Sequence, residues 1–252
     1  MPLVAVHGNG VDHRILLSLD ATLAAPGCFE RLYLDLAGFG STPALSGAGG
    51  LPELATWLVA QVAELVADRP FALLGNSLGG LLARHVRAVF PDQVVGLALL
   101  APVVHPDATR RVLPPFAVFE RDEQLLASLP PGDRADFTEM TARQSRETWN
   151  LFRQFALPGI RAASAEAMAR LGERYFLVDE PDEVAGAFAG PALVVAGRQD
   201  HVAGCEDQLD LVRRYYPAAT YAALHGAGHN VHLDCPAAVS ALLTQWAKDL
   251  PL

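Results

Sequence analysis

The sequence predicts an α/β fold: a mainly parallel sheet of about six strands, with helices on both faces and one inserted helical stretch. Three observations carry this. Over residues 1–101 and again over 191–252, short apolar runs of strand length alternate with amphipathic runs of helical period. Strands that alternate with helices in this way pair in parallel, because each crossover helix brings the chain back to start the next strand at the same end of the sheet. Between the two halves, residues 102–190 lose the strand pattern, gain Pro106, Pro114, Pro115, Pro130 and Pro131, and read as helical. The 252 residues suffice for one large domain carrying such an insertion.

Composition narrows the function classes. Hydrophobic residues make up 51% and charged residues 19%, the balance of a packed protein and not of a disordered one. The formal charge is −9 and no basic cluster occurs, which argues against nucleic acid or an anionic membrane as partner. The longest apolar stretch, Val94 to Val104, is too short to cross a bilayer. The N-terminus enters a strand without a charged n-region, so a soluble, cytoplasmic protein is expected. Cys28, Cys205 and Cys235 are odd in number and widely spaced, which fits neither a disulfide framework nor a zinc site. They are expected to be free thiols, and no metal or cofactor is expected.

In chain order, Pro2 to Val6 reads as a strand running into His7-Gly8-Asn9-Gly10, followed by a helix from about Asp12, suited to its N-cap, to Leu23. Phe29 to Leu34 is the next strand. Leu51 to Ala67 has Leu, Trp and Val at helical spacing, with Pro52 in the first turn. Phe71 to Leu74 is a buried strand, Leu81 to Phe90 lies in a helix opening at Leu78, and Val94 to Leu100 is a further strand. In the inserted stretch, helices are expected near Phe119 to Leu129, Asp133 to Phe155 and Ser164 to Val178. Ala192 to Ala196 resumes the sheet and delivers Gly197-Arg198-Gln199-Asp200-His201. A helix from Asp207 to Tyr216, a last strand from Thr220 to Leu224, the loop Gly226 to His232 and a helix from Pro236 to Asp249 complete the chain.

The turn Gly75-Asn76-Ser77-Leu78-Gly79-Gly80 joins a strand directly to a helix, with one serine at its apex. Such a turn brings the two backbones so close that Gly75 and Gly79 have no room for a Cβ. It holds the serine in strain and aims the helix N-terminus at the point where an oxyanion would form. An acid after one later strand, in Gly-x-x-Asp, and a histidine after the next, in Gly-x-Gly-His, put three polar groups at the carboxyl ends of parallel strands, where ligands bind.

The order Ser, Asp, His and the Gly-x-Ser-x-Gly turn resemble the α/β-hydrolases, and Asp35 to Thr42 is similar to a loop common in that family. The resemblance implies Ser77 as nucleophile, His229 as general base and Asp200 as its orienting acid, with the backbone N–H groups of Asn9 and Leu78 forming the oxyanion hole. It implies a hydrolase core over 1–101 and 191–252, and a helical cap over 102–190. Asp107 is an alternative acid, and His201, His225 and His232 compete with His229, whereas His7 is expected to order its own loop. The expected substrate contacts are Asn76, beside the nucleophile, and Trp149 and Phe152, drawn from cap aromatics that also include Phe116, Phe137, Phe155 and Phe176. Arg143, Arg146, Arg153 and Arg161 are candidates to hold a substrate carboxylate.

The resemblance implies hydrolysis of a carboxylic ester or related small acyl compound through an acyl-enzyme. Dehalogenases and epoxide hydrolases of this fold use an aspartate at the apex, so Ser77 argues against both. Gly75-Asn76-Ser77 also resembles carbon-carbon hydrolases of meta-cleavage-product type, which are an alternative. A small-molecule receptor on the same fold is an alternative of another class. Aminopeptidase action would need an acidic group for a substrate ammonium, for which Glu120, Asp122 and Glu123 are the candidates. The family's sheet usually begins with two further strands. Without them Phe29 to Leu34 becomes an edge guarded by Glu30 and Arg31, through which a homodimer is expected to form.

Overall fold

Eight apolar or extended runs become strands in the computed structural model, which describes residues 1–251. They are β1 (Pro2–Val6), β2 (Glu30–Leu34), β3 (Phe71–Asn76), β4 (Val94–Leu100), the two-residue β5 (Glu120–Arg121) and β6 (Arg143–Gln144), β7 (Ala192–Gly197) and β8 (Ala219–Leu224). Six of them form one sheet in the order β2-β1-β3-β4-β7-β8, and every neighbouring pair is parallel. Strands β1, β3 and β7 are buried at every residue, as expected for a parallel sheet covered on both faces.

Alternation along the strands sends side chains into two cores. Leu3, Ala5, Ala72, Leu74, Leu193 and Val195 pack with Leu243 and Trp246 of the helix Pro236–Asp249, and with Phe137 and Phe152 of the middle segment. Val4, Val6, Leu73, Leu97, Leu99 and Val194 face the other way, against Leu54, Leu58 and Val62 of the helix Leu51–Val66 and Leu82 and Val86 of the helix Leu78–Val89. Each large side chain buried in these layers contributes about 1.5–3 kcal/mol. The sheet is therefore a rigid platform for whatever follows its strands.

The chain leaves β1 for β2 on one side and returns to β3 on the other. This reversal sets the loops after β1 and β3 side by side, with Val6 paired to Gly75 at the carboxyl ends. Ligand crevices in open α/β sheets form at such a switch point. The expected edge strand is at the edge, and its charges are engaged: Arg31 pairs with Asp20 at 2.7 Å and Glu30 with Arg69 at 2.6 Å.

The helices depart from expectation in two places. The one expected from Asp12 to Leu23 is two short helices, Arg14–Leu17 and Asp20–Ala24, parted where the Ser18 hydroxyl bonds back to the Ile15 carbonyl. In the middle segment, Asp133 to Phe155 is no single helix. A helix Pro131–Met140 stops, residues 143–144 form β6 beside β5, and a helix Arg146–Leu151 follows. Phe152–Ala156 then widens into a π turn before the helix Leu157–Ala162. Pro158 explains the widening, since it lacks an N–H and its ring would clash with the carbonyl four residues back in a regular helix. The other two helices expected in the middle segment shorten to Glu123–Ser128 and Ala165–Glu173.

Candidate active site

Ser77 follows β3 directly and precedes the helix Leu78–Val89, at φ 55° and ψ −118°. That positive φ is a strained conformation for a residue with a side chain, sustained only where the surroundings enforce it. They do so here by close approach: a Cβ on Gly75 would lie 2.4 Å from the Gly79 carbonyl oxygen, and one on Gly79 would lie 2.1 Å from that of Val6. The Ser77 backbone is tied on both sides, its N–H donating to Leu100 and its carbonyl accepting from Val103, both at 3.0 Å.

Asp200 follows β7 and is fully buried. Its Oδ1 accepts the N–H groups of Val202 at 2.9 Å and Ala203 at 3.0 Å, which fixes the carboxylate. Burial alone would raise its pKa, but the facing His229 and these donors hold it below the usual carboxylate value. His229, in the loop after β8, sits between the two. Its Nδ1 lies 3.0 Å from Asp200 Oδ2, and its Nε2 lies 2.7 Å from Ser77 Oγ. Three residues up to 152 positions apart thus form one continuous hydrogen-bonded line.

The loop after β1 closes against the serine. A Cβ on Gly8 would lie 3.0 Å from Ser77 Cβ, so Asn9 stands beside the apex. Among the described residues, neither the Asn9 N–H nor the Leu78 N–H has an acceptor. His7 orders this loop, donating from Nδ1 to the Gly8 carbonyl at 2.7 Å and accepting the Leu36 N–H on Nε2 at 3.0 Å. Its complete burial pushes its pKa down to about 4, so it stays neutral.

The competing residues fall elsewhere. Asp107 is exposed and caps the turn Ala108–Arg110 through the Thr109 N–H. His201 and His225 meet Phe116 and Phe119 edge to face. His232 is buried with no well-formed hydrogen bond to either ring nitrogen among the described residues, and desolvation lowers its pKa to about 4 against the pull of the Ile15 backbone. Asp12, His13 and Asp35 form a close group of potential ligand atoms. Arg14 already occupies the Asp12 carboxylate, and Asp35 is taken up by His13 and Ser41, so protein partners meet these acceptors.

A cavity of about 230 Å³ opens on Ser77 and His229. Asn9, Asn76 and Asn230 share its polar end, while Val11, Ile15, Met140, Phe152, Ile160 and Met168 form apolar wall. Asn76 is anchored by donating from Nδ2 to the Leu100 carbonyl at 3.0 Å. Asp136 and Glu139 also line the cavity, and among the described residues no lysine or arginine does.

Of the six aromatic candidates only Phe152 lines it. Trp149 stands behind, with its ring against Phe137 and Phe152, and Phe116 and Phe176 are about half exposed on the surface. Sequence reasoning missed Met140, Ile160 and Met168, whose spacing is that of ordinary core positions, and Val11, which follows the expected oxyanion loop. The four candidate arginines are also elsewhere: Arg143 pairs with Glu120, Arg161 pairs with Asp133, and Arg146 and Arg153 are exposed. Cys28, Cys205 and Cys235 are free and half-buried.

A serine on a strained strand-to-helix turn, in line with a histidine and a buried acid, is the arrangement of a hydrolase on this sheet. The chain belongs to the alpha/beta hydrolase family, whose profile it matches over residues 3–242. It is 35% identical to the lipase LipV of Mycobacterium tuberculosis over 43% of this chain and 41% of that one. It is 30% identical to the pimeloyl-[acyl-carrier protein] methyl ester esterase of a Shewanella species over 51% of this chain and 46% of that one. These matches thus span less than half the length of either relative. A 2-succinyl-6-hydroxy-2,4-cyclohexadiene-1-carboxylate synthase from an Enterobacter species is 27% identical over 99% of this chain and 94% of that one. In fold the chain is similar to an alpha/beta superfamily hydrolase from Oenococcus oeni, with a TM-score of 0.90 and 23% identity over 99% of this chain and 92% of that one. No helix among the described residues is long and apolar enough to cross a membrane.

Proposed function

We propose that the chain hydrolyses a carboxylic ester, or a related small acyl compound, through an acyl-enzyme on Ser77. The observation that carries this reading is the line from Ser77 Oγ through the His229 ring to Asp200, with contacts of 2.7 and 3.0 Å. Serine is a poor nucleophile until a neutral imidazole takes its proton. With Nδ1–H donating to Asp200, the Nε2 lone pair faces the Ser77 hydroxyl and accepts its proton as Oγ attacks the acyl carbon. The oxyanion then forms beside the free Asn9 and Leu78 N–H groups, at the positive end of a 12-residue helix. Losing one such donor costs about 3 kcal/mol of transition-state stabilisation. The protonated His229, held by Asp200, gives its proton to the departing alcohol, and water repeats the sequence to release the acid.

The middle segment acts as a cap over this site and sizes the substrate. At about 230 Å³ the cavity falls below the ~300–1,000 Å³ common for drug-sized ligands, which supports a short acyl group. The absence of a lysine or arginine from its lining, together with Asp136 and Glu139, supports a neutral acyl chain over one bearing a carboxylate. That weighs against a meta-cleavage-product hydrolase, whose dienoate carries an anion. The full-length likeness to the synthase keeps carbon-carbon chemistry as the second reading. A series of p-nitrophenyl esters from C2 to C12 tests the proposal, with a dienoate substrate run beside it. Turnover with an optimum at the short end supports ester hydrolysis; turnover of the dienoate alone assigns the second reading.

A further inference from the structure

Asp234 lies outside the Ser77, His229 and Asp200 line, yet it touches the backbone on both sides of the cavity. It ends the short helix Val231–Asp234, five residues after His229, and is 4% exposed. Its Oδ2 accepts the N–H of Gly228 at 2.7 Å and that of Ala142 at 3.1 Å, while Oδ1 accepts that of Arg143 at 3.2 Å. Gly228 is the neighbour of His229. Ala142, two residues after the cavity-lining Met140, leads into β6 of the middle segment, which Arg143 opens. One carboxylate therefore binds the histidine loop and the cap at once.

The surfaces it joins are fitted closely. A Cβ on Gly228 would lie 3.1 Å from the Ala142 nitrogen, and one on Gly226 would lie 2.6 Å from Arg143 Nη2, so the loop runs directly beneath the cap strand. Within the cap, β6 pairs with β5 over two residues, the Ala142 carbonyl accepts from Phe119 and Arg143 pairs with Glu120; the Asp234 contacts tie this same segment to the histidine loop. A buried carboxylate is costly unless several donors meet it, and three backbone donors meet this one. Burial still pushes its pKa up to about 6, against the pull of the three N–H groups and of Arg143.

We propose that Asp234 is a positioning residue that sets the register between the histidine loop and the cap, so that one group aligns both the base and the acyl pocket. The inference rests on the reading of Ser77, His229 and Asp200 as the reacting line. Asp200 orients the imidazole from its Nδ1 side, and Asp234 fixes the backbone one residue away. A displacement of about 1 Å in a base can lower a rate by about a hundredfold.

The test replaces Asp234 by Asn, which keeps the shape but turns an acceptor into an N–H donor facing N–H groups. Two quantities are read: the rate at which an organophosphonate labels Ser77, and amide hydrogen exchange. Labelling should slow by about 10- to 100-fold. Exchange should rise together in residues 226–230 and 140–145, with the sheet unaffected. Labelling within about twofold of wild type, or exchange rising in only one of the two loops, overturns the proposal. Asp234→Glu, which keeps the charge but displaces it by one methylene, is read the same way if the Asn variant does not fold. Wild-type rates and exchange in that variant would equally contradict the inference. A wild type that takes no label refutes the reacting line, and the exchange measurements then decide the Asp234 contact separately.

Discussion

The carboxyl edge of the sheet and the middle segment build their halves of the cavity by different means. Along the sheet, each functional group stands within a few residues of a strand end and is held there by hydrogen bonds. The Ser77 backbone is bonded to Leu100 and Val103, and the Asp200 carboxylate accepts from Val202 and Ala203 of its own loop. In residues 102–190 the elements are short, two strands have two residues each, and the cavity wall is made by single side chains such as Met140, Phe152 and Ile160. Ion pairs there, such as Arg143 with Glu120, are partly exposed and contribute little. On the proposed reading, chemistry sits on the rigid layer and selection on the other, and the Asp234 carboxylate joins the two.

That contrast breaks most sharply at the apex. Ser77→Ala or His229→Ala should lower kcat on a short ester by about 10⁴- to 10⁶-fold while leaving the circular dichroism spectrum intact. Gly79→Ala, by contrast, should yield little folded protein, because its Cβ would lie 2.1 Å from the Val6 carbonyl oxygen. Asp200→Asn should follow, with a loss of about 10⁴-fold in kcat, since an amide favours the wrong imidazole tautomer.

A change in the other layer should alter selection and spare the chemistry. Ile160→Ala enlarges the apolar wall, and the chain-length optimum of kcat/KM should move toward longer esters. The rate on the shortest ester should stay within about tenfold of wild type. An unchanged optimum would detach the cavity from the substrate.

The smallest effect concerns pH and stability, and it lies beneath both layers. His7 and His232 are neutral when folded, with pKa values near 4, and protonate below about 6.5 once unfolded. The unfolded chain then binds more protons between those values. Their contribution is complete above about pH 6.5 and is lost as pH falls toward 4, by at most about 3 kcal/mol each. Asp234 works in the opposite direction, since its raised folded pKa gives stability that is lost as pH rises through about 6. His232→Leu removes a buried ring that has no well-formed hydrogen bond among the described residues, only a weak approach to the Ile15 backbone, and should raise the urea midpoint by about 1 kcal/mol equivalent at pH 7, and by more at pH 5. A midpoint that falls at both pH values would show that the ring has a partner.

The difference between the layers also governs what the sequence revealed. Apolar period, glycines and strand-end polar residues are local signals, so all six strands of the main sheet, Ser77, Asp200 and His229 were legible. The break after Met140 was not, because Asp234, 92 positions further along, draws the Ala142 N–H out of a helix. The widened turn at Phe152–Ala156 traces to Pro158, a visible residue whose effect depends on the helix before it. Trp149 reads as a substrate contact from its type alone, and the helix Arg146–Leu151 turns it toward Phe137 instead.

The central claim is that Ser77 is a nucleophile activated by His229. It is tested most directly by treating wild type and Ser77→Ala with an organophosphonate and reading the intact mass. One adduct per chain in the wild type and none in the variant is the expected result. An unmodified wild type, or an adduct that persists in Ser77→Ala, would contradict the account.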